Sequence, residues 1–378
     1  MRRQLILALL FAASVPLLSR LWLLVSAPHK SETTKHDFVQ LSSTQPFQLS
    51  RFPLPDISCI PDLEETIFVK NLPDGDAEIS FSHMLHLLRL LDASGTNNKS
   101  SYQGSLFKLL TNSNAEATIH RPAAFLQTRW GIRAKIGRDT LYGEQHVDQC
   151  LSTFAELGVT LDESVSIDSL HYTVRDLLND SIANFDLDQP EIEWTAVAYA
   201  SYLAPVTRVW RNRFGAEFSF DDLTASLMHR DLSKQSCAGL HIFNSMAVIS
   251  QVNDAYGVLS PYIRDQLSRR LTLLVEGASQ TQLSEGAWAL DWFEPVSSSY
   301  NSMYRAPISG RIGRLLATGH LLETMLLLPN SRQIPESQIK AGVAWLQQEL
   351  LSLSSAECCD RFCPAIHGCI VLASYCRE

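Results

Sequence analysis

Apolar residues recur every three or four positions along most of this chain, the spacing of helices that bury one side. Phe81, Met84, Leu87, Leu88 and Leu91 form a first stripe, ended by the polar run from Ser94 to Asn98. Val147, Leu151, Phe154 and Leu157 form a second, closed by Gly158 where a left-handed residue belongs. Ile167, Leu170, Val174, Leu177, Leu178, Ile182 and Phe185 keep the spacing long enough to predict one continuous helix. The segment from Trp194 to Leu203 reads as a helix stopped by Pro205, and Ser219 with Asp222 reads as a capping box ahead of Leu223 to Met228. Leu240, Phe243, Met246, Ala247 and Ile249 make a stripe ending near Gly257; Ser260-Pro261 is an N-cap with proline at the first helical position, leading into Ile263, Leu267, Leu271, Leu274 and Val275. Ile312 to Leu326, Ile339 to Leu353 and Pro364 to Ala373 complete the series. No stretch stands out with the two-residue alternation of a strand, so the expectation is an all-α domain of ring or solenoid type over residues 77–378.

Ahead of that domain, Met1-Arg2-Arg3 precedes apolar runs from Leu5 to Leu18 and Leu21 to Ala27, a positive region followed by a greasy one. Residues 1–27 are expected to act as a signal-anchor that attaches the chain to a membrane, or as a signal peptide cleaved after Ala27; either places the body outside the cytoplasm. Residues 28–76, with Pro46, Pro53, Pro55, Pro61 and Pro73, read as an extended linker, ordered in part near Ile67 and Phe68. Five of the eight cysteines (Cys358, Cys359, Cys363, Cys369 and Cys376) crowd the C-terminus, where an exported chain would use them as disulfides. A formal charge of −9 with no basic run beyond the first residues argues against nucleic acid as a partner. The phosphate-binding glycine loops, the Gly-x-Ser-x-Gly elbow and the His-Glu-x-x-His zinc motif are all missing.

The most informative stretch is Gln282-Leu-Ser-Glu-Gly286-Ala-Trp288-Ala-Leu-Asp-Trp292, in which the amide can satisfy open backbone groups, the glycine permits a turn and the indole covers a helix junction. It resembles the QW repeat of the squalene-cyclase and protein-prenyltransferase superfamily, and Trp345 in Gly342-Val-Ala-Trp345 resembles the helix that enters each repeat. The resemblance implies an α/α toroid, a ring of paired helices around a central cavity. It does not extend to that superfamily's chemistry: Asp186-Leu-Asp188-Gln189 lacks the last acid of Asp-x-Asp-Asp, and Asp221-Asp222-Leu-Thr-Ala225 has alanine where Asp-Asp-x-x-Asp needs its third acid.

In a toroid, polar residues at helix starts would face the cavity. Glu144 and His146, the pair Glu191 and Glu193, Cys237 with His241, His320 with Glu323, and His367 all qualify. The expected site is an acid–base enzyme centre of His241, His320, Glu323, His367, Glu144 and His146, walled by Trp194, Trp288 and Trp292 and open to a small or elongated organic ligand. A sharper variant has Cys237 and His241, sharing one helix face, bind a metal ion with His320 or His367. The rival reading is a non-catalytic envelope binding or scaffold protein in which these groups cap helices.

Overall fold

The computed structural model describes residues 39, 41, 43–52, 80–94, 111, 124–137, 143–167, 170–293, 310–354, 357 and 363–375. The expected signal segment 1–27, Ile67 and Phe68, and Cys358, Cys359 and Cys376 lie outside them. Helices dominate the described part, as the periodicity predicts: α1 (Phe81–Ser94), α2 (Gln149–Glu156), α3 (Val174–Asn184), α4 (Ile192–Tyr202), α5 (Phe220–His229), α6 (Leu240–Tyr256), α7 (Pro261–Thr281), α8 (Gly310–Leu326), α9 (Glu336–Ser352) and α10 (Pro364–Tyr375). Among the described residues no helix is long and apolar enough to cross a membrane.

From α2 onward two kinds of helix alternate along the chain. In α4 every residue from Ile192 to Tyr202 is buried, and in α8 every residue from Leu315 to Leu326. A helix covered on all sides belongs to an interior layer. By contrast α7 buries only Leu267, Leu271, Leu274, Gly277 and Ala278, and α9 buries a single stripe that includes Ile339, Val343, Leu346 and Leu350. These are outer helices with a solvated face. Packing follows the same division: α1 lies on α2, α2 on α4, α4 on α6, α6 on α8, α8 on α10, and α10 returns to α1, a closed cycle of six helices. Outside it, α3 packs on α2, α5 on α4 and α6, α7 on α6, and α9 on α8 and α10.

Several ends match the sequence in detail. Ser219 and Asp222 form the capping box of α5, with Asp222 N donating to Ser219 Oγ and Ser219 N to the Asp222 carboxylate. Ser260 caps α7 ahead of Pro261, and Gly158 and Gly257 both take the left-handed conformation.

The long helix expected from Ile167 to Phe185 is instead a β-hairpin followed by a shorter helix. Ser164–Ile167 (β3) pairs antiparallel with Leu170–Thr173 (β4), and α3 begins only at Val174. Val165 and Ile167 point into the core from β3, and Thr173 stops the strand, its N–H donating to the Asp176 carboxylate at 2.8 Å. Two further antiparallel hairpins, Phe125–Gln127 (β1) with Ile132–Ala134 (β2) and Val209–Arg211 (β5) with Glu217–Ser219 (β6), correct the expectation of a strand-free chain. Strands of three or four residues are too short to show alternation above a helical background.

The Gln282–Trp292 stretch works as a clasp between outer and inner helices. Gln282 Nε2 donates to the carbonyls of Gly286 and Gln338, both at 2.8 Å, and Trp288 Nε1 donates to Ala278 O at 2.7 Å. Gly286 sits at φ +99 against the backbone of Ala341, where a Cβ would lie 2.5 Å from its carbonyl oxygen. Trp288 and Trp292 are both fully buried in these junctions.

Part of the expected linker is tied down. Phe47 N donates to Ser201 O and Phe52 N to Leu326 O, while Gln251 exchanges two hydrogen bonds with the backbone of Ser50. The acceptors lie near the C-terminal ends of α4 and α8, so this strap satisfies carbonyls that a helix end leaves open.

Candidate functional site

The six cycling helices bring one polar cluster to a common place in the interior. From α1 come His86 and Arg89, from the turn before α2 His146, and from α2 its last residue, Glu156. Helix α4 adds Glu193 and Trp194, α6 adds His241 and Asn244, α8 adds His320 and Glu323, and α10 adds His367. Five imidazoles form an unbroken row: ring centroids are 5.6 Å apart from His146 to His241, 4.5 Å from His241 to His320, 3.6 Å from His320 to His367 and 5.0 Å from His367 to His86. Trp194 covers one end, stacked on His146 at 5.3 Å.

Arg89 fixes the charge of the cluster. Its guanidinium donates to Glu156 at 2.6 Å and to Glu323 at 2.7 Å, so burial, which opposes its charge, is outweighed by the two carboxylates. Glu323 is buried too, yet Arg89 and then His367 hold its pKa below the ordinary carboxylate value. An ionised carboxylate only accepts, so His367 Nδ1 must be the donor in its 2.8 Å bond to Glu323. The same reasoning applies to His86, whose Nδ1 donates to Ser82 O at 2.7 Å.

Beside this satisfied network lie groups that nothing satisfies. Both carboxylate oxygens of Glu193 and Nε2 of His320 are buried without a hydrogen-bond partner among the described residues. Burial pushes the Glu193 carboxyl up to about 7, and burial together with the neighbouring imidazoles, His146 first for His241 and His367 first for His320, keeps those two rings neutral by lowering their pKa values. Glu193, His241 and His320 line a small inner cavity of about 10 Å³, room for about one water molecule. Arg89, Glu156, Asn244 and Glu323 separate it from an outer cleft of about 320 Å³ that runs beneath Gln48, Leu49 and Arg51 of the strap.

Of the residues expected from sequence, His241, His320, Glu323 and His367 converge here, with His146 at the margin. His320 and Glu323 do so from the C-terminal half of α8 rather than from a helix start. Glu144 stands apart: its carboxylate accepts from Asp148 N at 3.2 Å and Cys150 N at 2.9 Å, capping α2, whose N-cap Asp148 is left-handed and supplies no capping side chain. Burial, reinforced by Asp148, raises its pKa. Cys237 and His241 do come together, but not along one helix. Cys237 and Ala238 both have positive φ in the turn that precedes α6. The Cys237 thiol is pushed up to about 12 by burial, then by Glu193 and Glu191.

Among the described residues two groups have the geometry to hold a metal ion: Cys237, His241 and His320, and His320, Glu323 and His367, each with donor atoms within 4.8 Å of one another. Sequence reasoning missed His86, Arg89 and Glu156. The signal was present in His83-x-x-His86-x-x-Arg89, three polar residues at helical spacing inside a mostly apolar helix, with His83 and His86 buried. Comparison of the chain with protein-family models, curated proteins and solved structures finds no match.

Proposed function

We propose that this chain is an α/α-toroid enzyme that performs acid–base chemistry on a small organic ligand, tethered outside the cytoplasm by residues 1–27. The closed cycle of six inner helices with outer helices packed between them supports the toroid. The tether rests on the arginine-led apolar segment from Met1 to Ala27.

One observation carries the enzymatic reading: an unpartnered carboxyl, Glu193, and an unpartnered imidazole nitrogen, Nε2 of His320, line the same inner cavity. Buried polar groups left unsatisfied destabilise a fold and are kept where chemistry needs them. A carboxyl near 7 is half protonated at neutral pH and donates readily, and a neutral imidazole accepts; the two are matched as acid and base. Arg89, clamped by Glu156 and Glu323, holds a fixed charge at the boundary between cleft and inner cavity, where a polar ligand would pass. The cleft volume is at the small end of the range for organic ligands.

The test is a panel of hydrolase, lyase and isomerase substrates run with the wild type and Glu193→Gln. Wild-type turnover that falls by about 10²- to 10⁴-fold in a folded Glu193→Gln variant is expected. Absence of turnover across the panel, or turnover indifferent to the substitution, counts against the reading.

A further inference from the structure

We propose that Cys237, His241 and His320 bind a single divalent cation of the zinc class. This inference rests on the site of the acid–base reading above and changes one role in it: with Nε2 of His320 bound to the cation that ring is a ligand, and Glu193 is left as the proton-transfer group.

The donor set is one sulfur and two imidazole nitrogens. Such a set selects a borderline-soft cation over magnesium or calcium, which take oxygen ligands. The three donor atoms already lie within 4.8 Å of one another, and tetrahedral zinc would need them about 3.3–3.6 Å apart, so loading would draw them together by no more than about 1.5 Å. His320 supplies the independent sign of a ligand. Its Nε2 is buried and unpartnered, and Nδ1 lies 3.6 Å from Glu323, outside hydrogen-bond distance but near enough for the carboxylate to favour the proton on Nδ1 and a lone pair on Nε2.

The turn that carries Cys237 is fixed from elsewhere in the fold. Trp292 Nε1 donates to Ala238 O at 3.1 Å, and Gly239 is pressed against Leu232 so closely that a Cβ would lie 2.6 Å from it. The alternative group of His320, Glu323 and His367 is a poorer cage. Glu323 is already committed to Arg89 and His367, and the arginine charge opposes a second cation there. With three protein donors a fourth position remains, and the adjoining cavity of about 10 Å³ has Glu193 on its wall. Three protein ligands plus one open position is the pattern of catalytic rather than structural zinc.

The purified full chain, stripped with a chelator, is dialysed against zinc, and metal content is measured alongside circular dichroism. A parallel sample is loaded with cobalt to read the thiolate-to-metal charge-transfer band. About one zinc per chain is expected, with the cobalt band present in the wild type, retained in His367→Gln, and lost in Cys237→Ser together with an affinity fall of at least about 100-fold. A folded wild type that takes up no stoichiometric zinc, or shows no thiolate band, overturns the inference; so does a band lost in His367→Gln but kept in Cys237→Ser. Metal content is read independently of turnover. A chain that binds zinc and turns nothing over therefore sinks the acid–base reading alone, and one that turns substrates over without taking up zinc sinks this one alone.

Discussion

Glu193 and Arg89 are both charged residues of the interior, and their surroundings make opposite predictions. The Glu193 carboxyl has an ordinary value of 4.5 and is held near 7 by burial; its own backbone N–H opposes the rise, Glu191 adds to it, and His146 and Arg230 oppose it. The folded state therefore binds this proton more tightly than the unfolded state. Its contribution to stability is complete below about 4.5 and is lost as pH rises through about 7. In metal-free protein the wild type should lose roughly 2 kcal/mol relative to Glu193→Gln between about pH 5.5 and about pH 8, read from denaturant midpoints at each pH. Equal slopes for the two proteins would show that the carboxyl does not titrate in that window. Arg89 is instead fully paired, so Arg89→Met leaves the buried Glu323 and half-buried Glu156 carboxylates without their cation and should cost about 3–5 kcal/mol. The exposed pair of Arg211 with Glu217 is the control, and Arg211→Met should change stability by no more than about 1 kcal/mol in the same assay. At this scale the sequence was partly legible. Histidines that stand beside a turn or glycine, such as His241 and His367, stood out, whereas His86 and Arg89 were hidden inside the apolar stripe of α1, where one sequence cannot show which way a polar residue faces.

Helix ends and helix faces were the most readable elements, because caps are local chemistry. Ser219 with Asp222 and Ser260 with Pro261 specify their turns within four residues, and the structure uses both as written. The segment from Ile167 to Phe185 failed for the opposite reason. Its apolar spacing is compatible with a helix throughout, and the pairing of β3 with β4 that overrides it is a tertiary choice. The clasp around Trp288 gives the element-scale prediction. Gly342 lies against that indole, and an added Cβ would meet its Cζ3 at 2.6 Å, while the Nε1 bond to Ala278 O leaves the ring little freedom to move. Gly342→Ala should therefore destabilise the chain by about 1–3 kcal/mol despite alanine's better helix propensity, as measured by urea unfolding. A stabilised variant would mean that α9 is free to shift away from the ring.

Across the whole molecule, the fold and the site follow from one arrangement. Interior helices buried on every face have no solvated side on which to place polar residues, so the few they carry must meet one another, and closing α10 onto α1 gathers them into one row of imidazoles. Periodicity could announce the helices but not the closure, which depends on contacts between residues as distant as His86 and His367. The account holds that Glu193 and His320 are retained for chemistry at the expense of stability, and that claim can be measured without knowing the substrate. Comparing the unfolding free energy of the Glu193→Met, His320→Leu double variant with that of the wild type, both chelator-treated at about pH 8, tests it most directly. If these are site residues, replacing unsatisfied polar groups with apolar ones of similar volume should make the double variant more stable, by about 1–4 kcal/mol. A double variant less stable than the wild type would contradict the account, because the two side chains would then be holding the fold together.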